Sequence, residues 1–463
     1  MVTTDDMIEA YELCLRRKRG KKCAMDFDLD WCCGLQRLTD EVNSHTYVPG
    51  RSICFVVTRP RLREVFAADF ADRILHHYIA MRLEPLLEET LSPRTFNCRR
   101  GKGQLYGIRQ LYADMYDCSD AFRSECWLMK LDLKGFFMSI DKELLARMVD
   151  NYILRRYRGE DREELRFVCR VCILHEPQLD CERRSRQELF DLLPDHKTLF
   201  RNEKGHGVAI GNLYAQLFAN LFLSDIDWMI ERELGVRHHG RYVDDIYLLH
   251  PSREHLLRCV PRLRAALSRL GITINERKFY LQPVAHGLRF TGAIVKPWRI
   301  YTDERTIDKL FLSTRRLARL RDPELSRRQA ETVNSYLGAM RHTSSYALRC
   351  RALLVLRGRT VAAMRWVDAQ GHERTGGRWT AAEVEEATKT MQFPTSVTRW
   401  TRFVAFNAMY TDMVGSGLTD DGVISAAYAF YFRDRDWPGA TKDGFSASKT
   451  WQYMAAKSEM ERE

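Results

Sequence analysis

The chain reads as an α+β protein of several domains. Short runs rich in β-branched and aromatic residues alternate with stretches whose apolar residues recur at helical spacing, and the later chain turns helical and Arg-rich. At 463 residues, a rule of thumb of about 150 residues per domain gives roughly three domains, each large enough for its own core. A composition of 45% hydrophobic and 29% charged residues, with 13 Pro and 26 Gly, excludes collagen-like, low-complexity and wholly disordered classes. No run of about 18 apolar residues could span a bilayer. The start, Met1-Val2-Thr3-Thr4-Asp5-Asp6, has no signal-peptide pattern, so a cytoplasmic address without a membrane partner is expected. Lys and Arg number 73 against 62 Asp and Glu, and the net +11 favours a polyanionic partner if the excess clusters. The 13 cysteines of so long a chain are expected as reduced thiols. Cys169-Arg170-Val171-Cys172 with His175 and Cys181 has some zinc-like spacing but lacks a second paired knuckle, and the adjacent Cys32-Cys33 is weaker still.

Taken in order, residues 1–50 are an N-terminal lead-in. From Ser52, Ile53-Cys54-Phe55-Val56-Val57 reads as a strand that Pro60 helps to end. Between Phe70 and Leu87 the residues Ile74, Tyr78, Met81 and Leu83 recur near helical spacing, with a break expected at Pro85. Residues 91–113 contain Arg94, Arg99, Arg100, Lys102 and Arg109 but no acid, interleaved with Gly101, Gly103 and Gly107. That local positive field suits phosphate; a solvated basic loop is the alternative. Trp127 to Leu131 reads as a strand entering Asp132, and Val208 to Leu223 as a helix with Leu213, Leu217, Phe218, Leu221 and Phe222 on its apolar side. Arg241 to Leu249 reads as a hairpin with Asp244-Asp245 at its turn. Ile272-Thr273-Ile274 and 287–295 read as further strands. Residues 305–370 are mostly helical, the glycines and polar residues of 371–377 make the best linker, and the tail with Trp400, Trp437 and Trp451 reads as a small folded appendage.

The chemistry concentrates in three acids at strand ends: Asp132 in Leu131-Asp132-Leu133-Lys134-Gly135-Phe136-Phe137, and the pair in Tyr242-Val243-Asp244-Asp245. Phosphoryl transfer to a sugar hydroxyl uses two divalent cations about 3.5–4 Å apart, one activating the nucleophile and one stabilising the leaving oxygen. Carboxylate oxygens suit Mg²⁺ or Mn²⁺. An Asp-Asp pair in a turn is common by itself; it gains meaning from a third acid beside it.

Motif by motif, the sequence resembles reverse transcriptases. The segment around Asp132 is similar to their first palm motif. Gly207-Val208-Ala209-Ile210-Gly211-Asn212-Leu213-Tyr214-Ala215-Gln216 is similar to the second, and Tyr242-Val243-Asp244-Asp245 to their aromatic-x-Asp-Asp turn. Gly271-Ile272-Thr273-Ile274-Asn275-Glu276-Arg277-Lys278 resembles the motif that follows, and Gly287-Leu288-Arg289-Phe290-Thr291-Gly292 the primer grip. Over roughly residues 50–370 the resemblance implies a right-hand polymerase: fingers 51–126, palm 127–300 with inserted finger segments, a helical thumb 301–370 and a C-terminal extension 371–463. It implies Asp132, Asp244, Asp245 and the carbonyl of Leu133 as ligands of two Mg²⁺ ions, with Mn²⁺ as a substitute. Phe137, five residues after Asp132, stands where the family places the ring that excludes a ribose 2′-hydroxyl. Arg61 and Arg63 resemble the segment gripping the incoming triphosphate, for which the planar guanidinium fork is suited. Ile210, Gly211 and Gln216 complete the expected nucleotide site, and Lys278 is a candidate acid for the departing pyrophosphate or a solvent-facing lysine. Template RNA and primer are expected on Arg99, Arg100, Lys102, Arg315, Arg316, Arg319, Arg321 and the 349–359 region. The implied substrates are dNTPs and the implied product is DNA.

Within that family, Ile210-Gly211-Asn212-Leu213 followed by Gln216 replaces the Pro-Gln-Gly of many relatives and resembles the diversity-generating retroelement group, as do Arg63-Glu64-Val65 and Cys98-Arg99-Arg100-Gly101-Lys102-Gly103. The resemblance implies error-prone copying at template adenines and a basic, oligomeric accessory protein. Isoleucine cannot make the polar contacts to a nascent base pair that a glutamine amide makes. Tyr214-Ala215, where that group more often has small hydroxyl residues, and the long tail depart from the pattern. A bacterial reverse transcriptase of another lineage, used in anti-phage defence, and an inactive RNA-binding scaffold are the competing readings; a degenerate scaffold should have lost an acid, and this chain retains three.

Overall fold

The computed structural model describes residues 1–16, 18–58, 62–320, 323–353, 365–367 and 373–375. The chain divides into two compact units, Met1–Thr291 and Gly292–Glu463.

The first unit begins with three helices, α1 (Thr4–Leu15), α2 (Lys22–Asp28) and α3 (Trp31–Asn43). Thr3 and Asp6 form a capping box at the start of α1, each side chain accepting the other's backbone N–H. Strands β1 (Ser52–Val57) and β2 (Arg63–Ala67) pair antiparallel, with Val57 opposite Arg63 and Ile53 opposite Ala67. The next helix, α4 (Phe70–Thr90), buries Ile74, Leu75, Tyr78, Ile79, Leu83 and Leu87. It runs through Pro85 instead of breaking there. A proline removes one helical hydrogen bond, but Leu83 and Leu87 on either side are buried, and their packing carries the helix across. Then come α5 (Gln104–Cys118), β3 (Trp127–Asp132), α6 (Phe136–Ser139), α7 (Lys142–Arg156), α8 (Arg162–Leu174), β4 (Cys181–Arg183) and α9 (Gln187–Asp191). β4 joins β1 in parallel, giving a three-stranded sheet of order β2-β1-β4.

The expected helix from Val208 is shorter. Residues 208–212 lie outside any helix, with a turn at Ile210-Gly211, α10 is Leu213–Phe222, and a new helix α11 (Ser224–Arg232) follows. Gly211 shows why: its φ of +124° is incompatible with a right-handed helix, and a Cβ there would lie 2.4 Å from the Phe66 carbonyl oxygen. Next are β5 (His238–Tyr242), β6 (Asp245–His250), α12 (Arg253–Arg269), β7 (Tyr280–Pro283) and β8 (Leu288–Phe290). β3 is paired antiparallel on both sides in a sheet of order β5-β6-β3-β7. Its Leu128, Met129 and Leu131 are fully buried, as a strand covered on both faces requires. The strand expected at Ile272-Thr273-Ile274 is a single bridge, Ile274 to Leu133, and the regular strand comes later, at β7. The expected strand through 287–295 is interrupted at Thr291 and Gly292, both with positive φ.

Two cysteine expectations meet the structure here. Cys118 and Cys126 are joined as a disulfide between the end of α5 and the start of β3, with Cα atoms 6.1 Å apart, so not every thiol is reduced. Cys169 and Cys172 are buried on α8 as small apolar core residues, with His175 just past its end.

The second unit starts with the hairpin of β9 (Ala293–Lys296) and β10 (Arg299–Thr302). Helices α13 (Glu304–Arg319), α14 (Pro323–Met340) and α15 (Tyr346–Leu353) enclose a core of Leu310, Val333, Leu337, Met340 and Ala352. Within the segment expected as a linker, β12 (Glu373–Thr375) pairs antiparallel with β11 (Arg365–Val367), so that stretch is partly strand. The tail from 376 onward lies outside the described residues.

Candidate active site

Strand register, not proximity in sequence, assembles the acids. In the β3–β6 pair Asp132 stands directly opposite Asp245, and the Leu133 N–H donates to the Asp244 carbonyl at 3.2 Å. Residues directly opposite each other in an antiparallel pair present their side chains on one face, so Asp132 and Asp245 share a face. The turn of the β5–β6 hairpin is Val243-Asp244, one residue earlier than expected, and Asp245 is the first residue of β6. Val243 carries φ +58°, at the first central position of the loop, where glycine is usual. For a β-branched residue that conformation costs on the order of 1–3 kcal/mol.

Each outer acid is held by a lysine. Lys278, in the short 3₁₀ turn Glu276–Lys278, lies 2.6 Å from Asp132 Oδ1, and Asn275 Nδ2 donates to Asp132 Oδ2 at 3.0 Å. Lys130 Nζ lies 3.0 Å from Asp245 Oδ1. The half-buried Asp244 has its carboxyl pushed up to about 6, first by burial and then by the charges of Asp245 and Asp132, with Lys278 acting in the opposite sense. The three acids therefore share one electrostatic neighbourhood. Among the described residues no three His, Cys, Asp or Glu side chains are arranged as a metal-ligating group, and Asp132 and Asp245 are ion-paired with Lys278 and Lys130. In donor chemistry the carboxylates fit a hard divalent cation, which would relieve the repulsion that raises Asp244.

The second motif comes to the same place by backbone bonds. Val208 N–H donates to the Phe137 carbonyl at 2.8 Å, and Phe66 N–H of β2 donates to the Ile210 carbonyl at 2.9 Å. Phe137 on α6 is half-buried beside Phe136, their rings 5.3 Å apart. Ile210 is half-buried and Gly211 exposed. Gln216 is on the exposed side of α10, where its amide oxygen accepts from the Cys98 thiol. Arg63 is exposed at the start of β2, and Arg61 lies outside the described residues.

The expected nucleic-acid contacts divide by exposure. Arg100 is exposed. Arg99 is 5% exposed and engaged by the Glu88 carboxylate at 2.9 Å and by the carbonyls of Ser92, Thr95 and Glu88. Lys102 donates to the Pro93 carbonyl at 2.9 Å, and burial lowers its ammonium to about 8. In the second unit Arg315, Arg316 and Arg319 lie on the exposed side of α13. Arg349 is fully buried, which removes it from that set, while Arg321 and 354–359 lie outside the described residues.

Two features were not anticipated from sequence. Lys130 is placed diagonally across the strand pair from Asp245, a placement that its period-two relation to Asp132 on β3 would have revealed once register was known. Behind the hairpin, Arg241 and Asp227 form a buried ion pair at 2.6 Å, each 1% exposed; nothing in the local sequence pairs them.

The model of the family described as reverse transcriptase (RNA-dependent DNA polymerase) matches residues 60–295. No curated protein sequence matches the chain. Among solved structures, apo telomerase from Candida tropicalis truncated from its C-terminal domain is 11% identical with a TM-score of 0.40; the match covers 58% of this chain and 59% of that one. Telomerase from Candida albicans in complex with a TWJ fragment of telomeric RNA is 10% identical with a TM-score of 0.41, covering 87% of this chain and 67% of that one.

Proposed function

The chain belongs to the reverse transcriptase family, and from that premise we propose that it is an RNA-directed DNA polymerase acting on template RNA, primer and dNTPs. The observation that carries this reading is the register that sets Asp132 opposite Asp245 with Asp244 at the adjoining turn. Asp132, Asp244 and Asp245, with the Leu133 carbonyl, would hold two Mg²⁺ ions or Mn²⁺ in their place. Bound there, the ions supply activation of the primer hydroxyl and charge stabilisation at the transferred phosphoryl group. Lys278 is the acid for pyrophosphate, and its contact with Asp132 keeps it at the site. Phe137 blocks a 2′-hydroxyl. Arg61, Arg63, Ile210, Gly211 and Gln216 shape the nucleotide pocket; Arg100, Lys102, Arg315, Arg316 and Arg319 grip nucleic acid, with Arg99 bracing their loop. A cytoplasmic location and a basic oligomeric accessory protein complete the reading.

The finer proposal is error-prone copying at template adenines for diversification of a target gene. The direct bond from β2 to Ile210 supports it, because β2 begins at Arg63 and so couples the two residues assigned to pairing tolerance. Sequencing cDNA made on a mixed-base RNA template tests both levels. Ile210→Gln should lower misincorporation opposite adenine by about tenfold, equivalent to about 1.4 kcal/mol of discrimination. An unchanged error spectrum removes Ile210 from the fidelity account, and absence of cDNA from the wild-type chain removes the polymerase reading.

A further inference from the structure

Val243 occupies an unfavourable backbone conformation next to Asp244, and the structure shows what holds it. Its N–H donates to Asn97 Oδ1 at 2.9 Å, and its carbonyl accepts from Arg241 Nη1 at 3.2 Å. Both backbone groups of the strained residue are therefore held by side chains that are each 1% exposed.

The holders are themselves held. Arg241 Nε donates to Asp227 Oδ1 at 2.8 Å, and its Nη2 donates to Asp227 Oδ2 at 2.6 Å. Thr95 Oγ1 donates to Asp227 Oδ2 at 2.7 Å, and Asn220 Nδ2 donates to the Asn97 carbonyl at 2.9 Å. The segment carrying Thr95 and Asn97 lies along β5: Phe96 N–H donates to the Arg241 carbonyl, and Arg241 N–H to the Arg94 carbonyl, both at 2.9 Å. Gly240 permits that approach, since a Cβ there would meet the Phe96 ring at 2.4 Å.

We propose that Asn97, backed by the Arg241–Asp227 pair, is a positioning residue that keeps Val243 left-handed and so sets the place of Asp244 relative to β3. The proposal rests on the polymerase reading for its catalytic consequence but not for its geometry. The Asp244 carbonyl accepts the Leu133 N–H, so a turn that relaxes releases that bond and moves Asp244 away from Asp132. Sub-ångström to ångström misplacement of a reacting group costs up to about a hundredfold in rate. Truncating Arg241 or Asp227 would strand a buried charge and threaten the fold. Asn97 is neutral and removes one bond to the turn.

The full chain is tested as wild type, Asn97→Ala, and Asn97→Ala combined with Val243→Gly, because glycine adopts positive φ without help. Two readouts are used: hydrogen exchange by mass spectrometry over peptides covering Leu133 and 241–246, and single-turnover DNA primer extension on RNA, normalised to titrated active sites. Asn97→Ala should speed exchange at Leu133 and the turn by about tenfold or more. It should lower kcat by about 10–100-fold, with KM for dNTP within about threefold. Adding Val243→Gly should recover about tenfold or more of both losses. A purely structural role for Asn97 predicts a lower melting temperature with normal kcat per titrated site and no recovery by glycine; that result overturns the proposal. Unchanged exchange in Asn97→Ala overturns it as well. Should the wild-type chain extend no primer, the polymerase reading fails, while the exchange arm still decides the clamp.

Discussion

The β5–β6 turn and the basic loop before α5 both stand out in the sequence by charge, yet they use that charge differently. At the turn, strand register brings acid against acid, and Asp244 is pushed up to about 6 by burial first and then by the charges of Asp245 and Asp132. In the loop, the cations are distributed among local partners: Arg94 pairs with Asp114 at 2.8 Å, Arg99 with Glu88 at 2.9 Å, and Lys102 with a carbonyl. Like charge gathered by strand register, offset in part by a lysine on each outer acid, suits a cationic ligand. A basic run whose members already have partners braces the fold, and the exposed Arg100, with the remaining donors of the half-buried Lys102, is left for an external phosphate.

Short of removing an acid, a large expected effect lies at Phe137. Phe137→Ala should raise incorporation of ribonucleotides relative to deoxyribonucleotides by about a hundredfold or more in primer extension, because the residue's backbone carbonyl accepts from Val208 of the second motif and sets the half-buried ring beside it. Unaltered sugar selectivity would separate Phe137 from the nucleotide pocket and make it a core aromatic. Next, Arg99→Ala should lower stability to urea by about 1–3 kcal/mol, since it removes charge-assisted bonds from a largely buried guanidinium. Arg100→Ala should leave stability within about 0.5 kcal/mol and reduce the slope of log affinity for RNA against log salt by about one. Reversal of that pair of results would erase the distinction between bracing and binding cations.

A smaller effect concerns pH. A carboxyl whose folded value is raised contributes stability that is fully present below about pH 4 and is lost as pH climbs through about 6. Asp244→Asn should therefore stabilise the metal-free protein above pH 6 by about 1–2 kcal/mol after solvent screening, with the gap closing below pH 4. Equal melting of the two proteins at pH 8 would show that neither burial nor the neighbouring acids raise the Asp244 carboxyl.

Patterns that depend on local chemistry were legible in the sequence. Ser52–Val57, the strand into Asp132 and the hairpin around Asp244 all alternate or cluster as strands do. Features decided at a distance were not. Gly211 breaks the expected helix because the Phe66 carbonyl approaches from another strand, and α4 ignores Pro85 because buried leucines flank it. Ile272-Thr273-Ile274 has strand composition but forms only one bridge, Ile274 to Leu133. At the site, the identity of the three acids could be read, whereas the lysines holding Asp132 and Asp245 depend on register. The fate of Arg99 and Arg349 depends on partners and burial that a charge count cannot supply.

Extension of a DNA primer on an RNA template with Mg²⁺, by wild type beside Asp132→Asn, Asp244→Asn and Asp245→Asn, tests the central claim most directly. The account predicts DNA synthesis by the wild-type chain and a loss of about a thousandfold or more in each variant, with the fold retained by circular dichroism. Comparable synthesis by wild type and any of the three variants would contradict it.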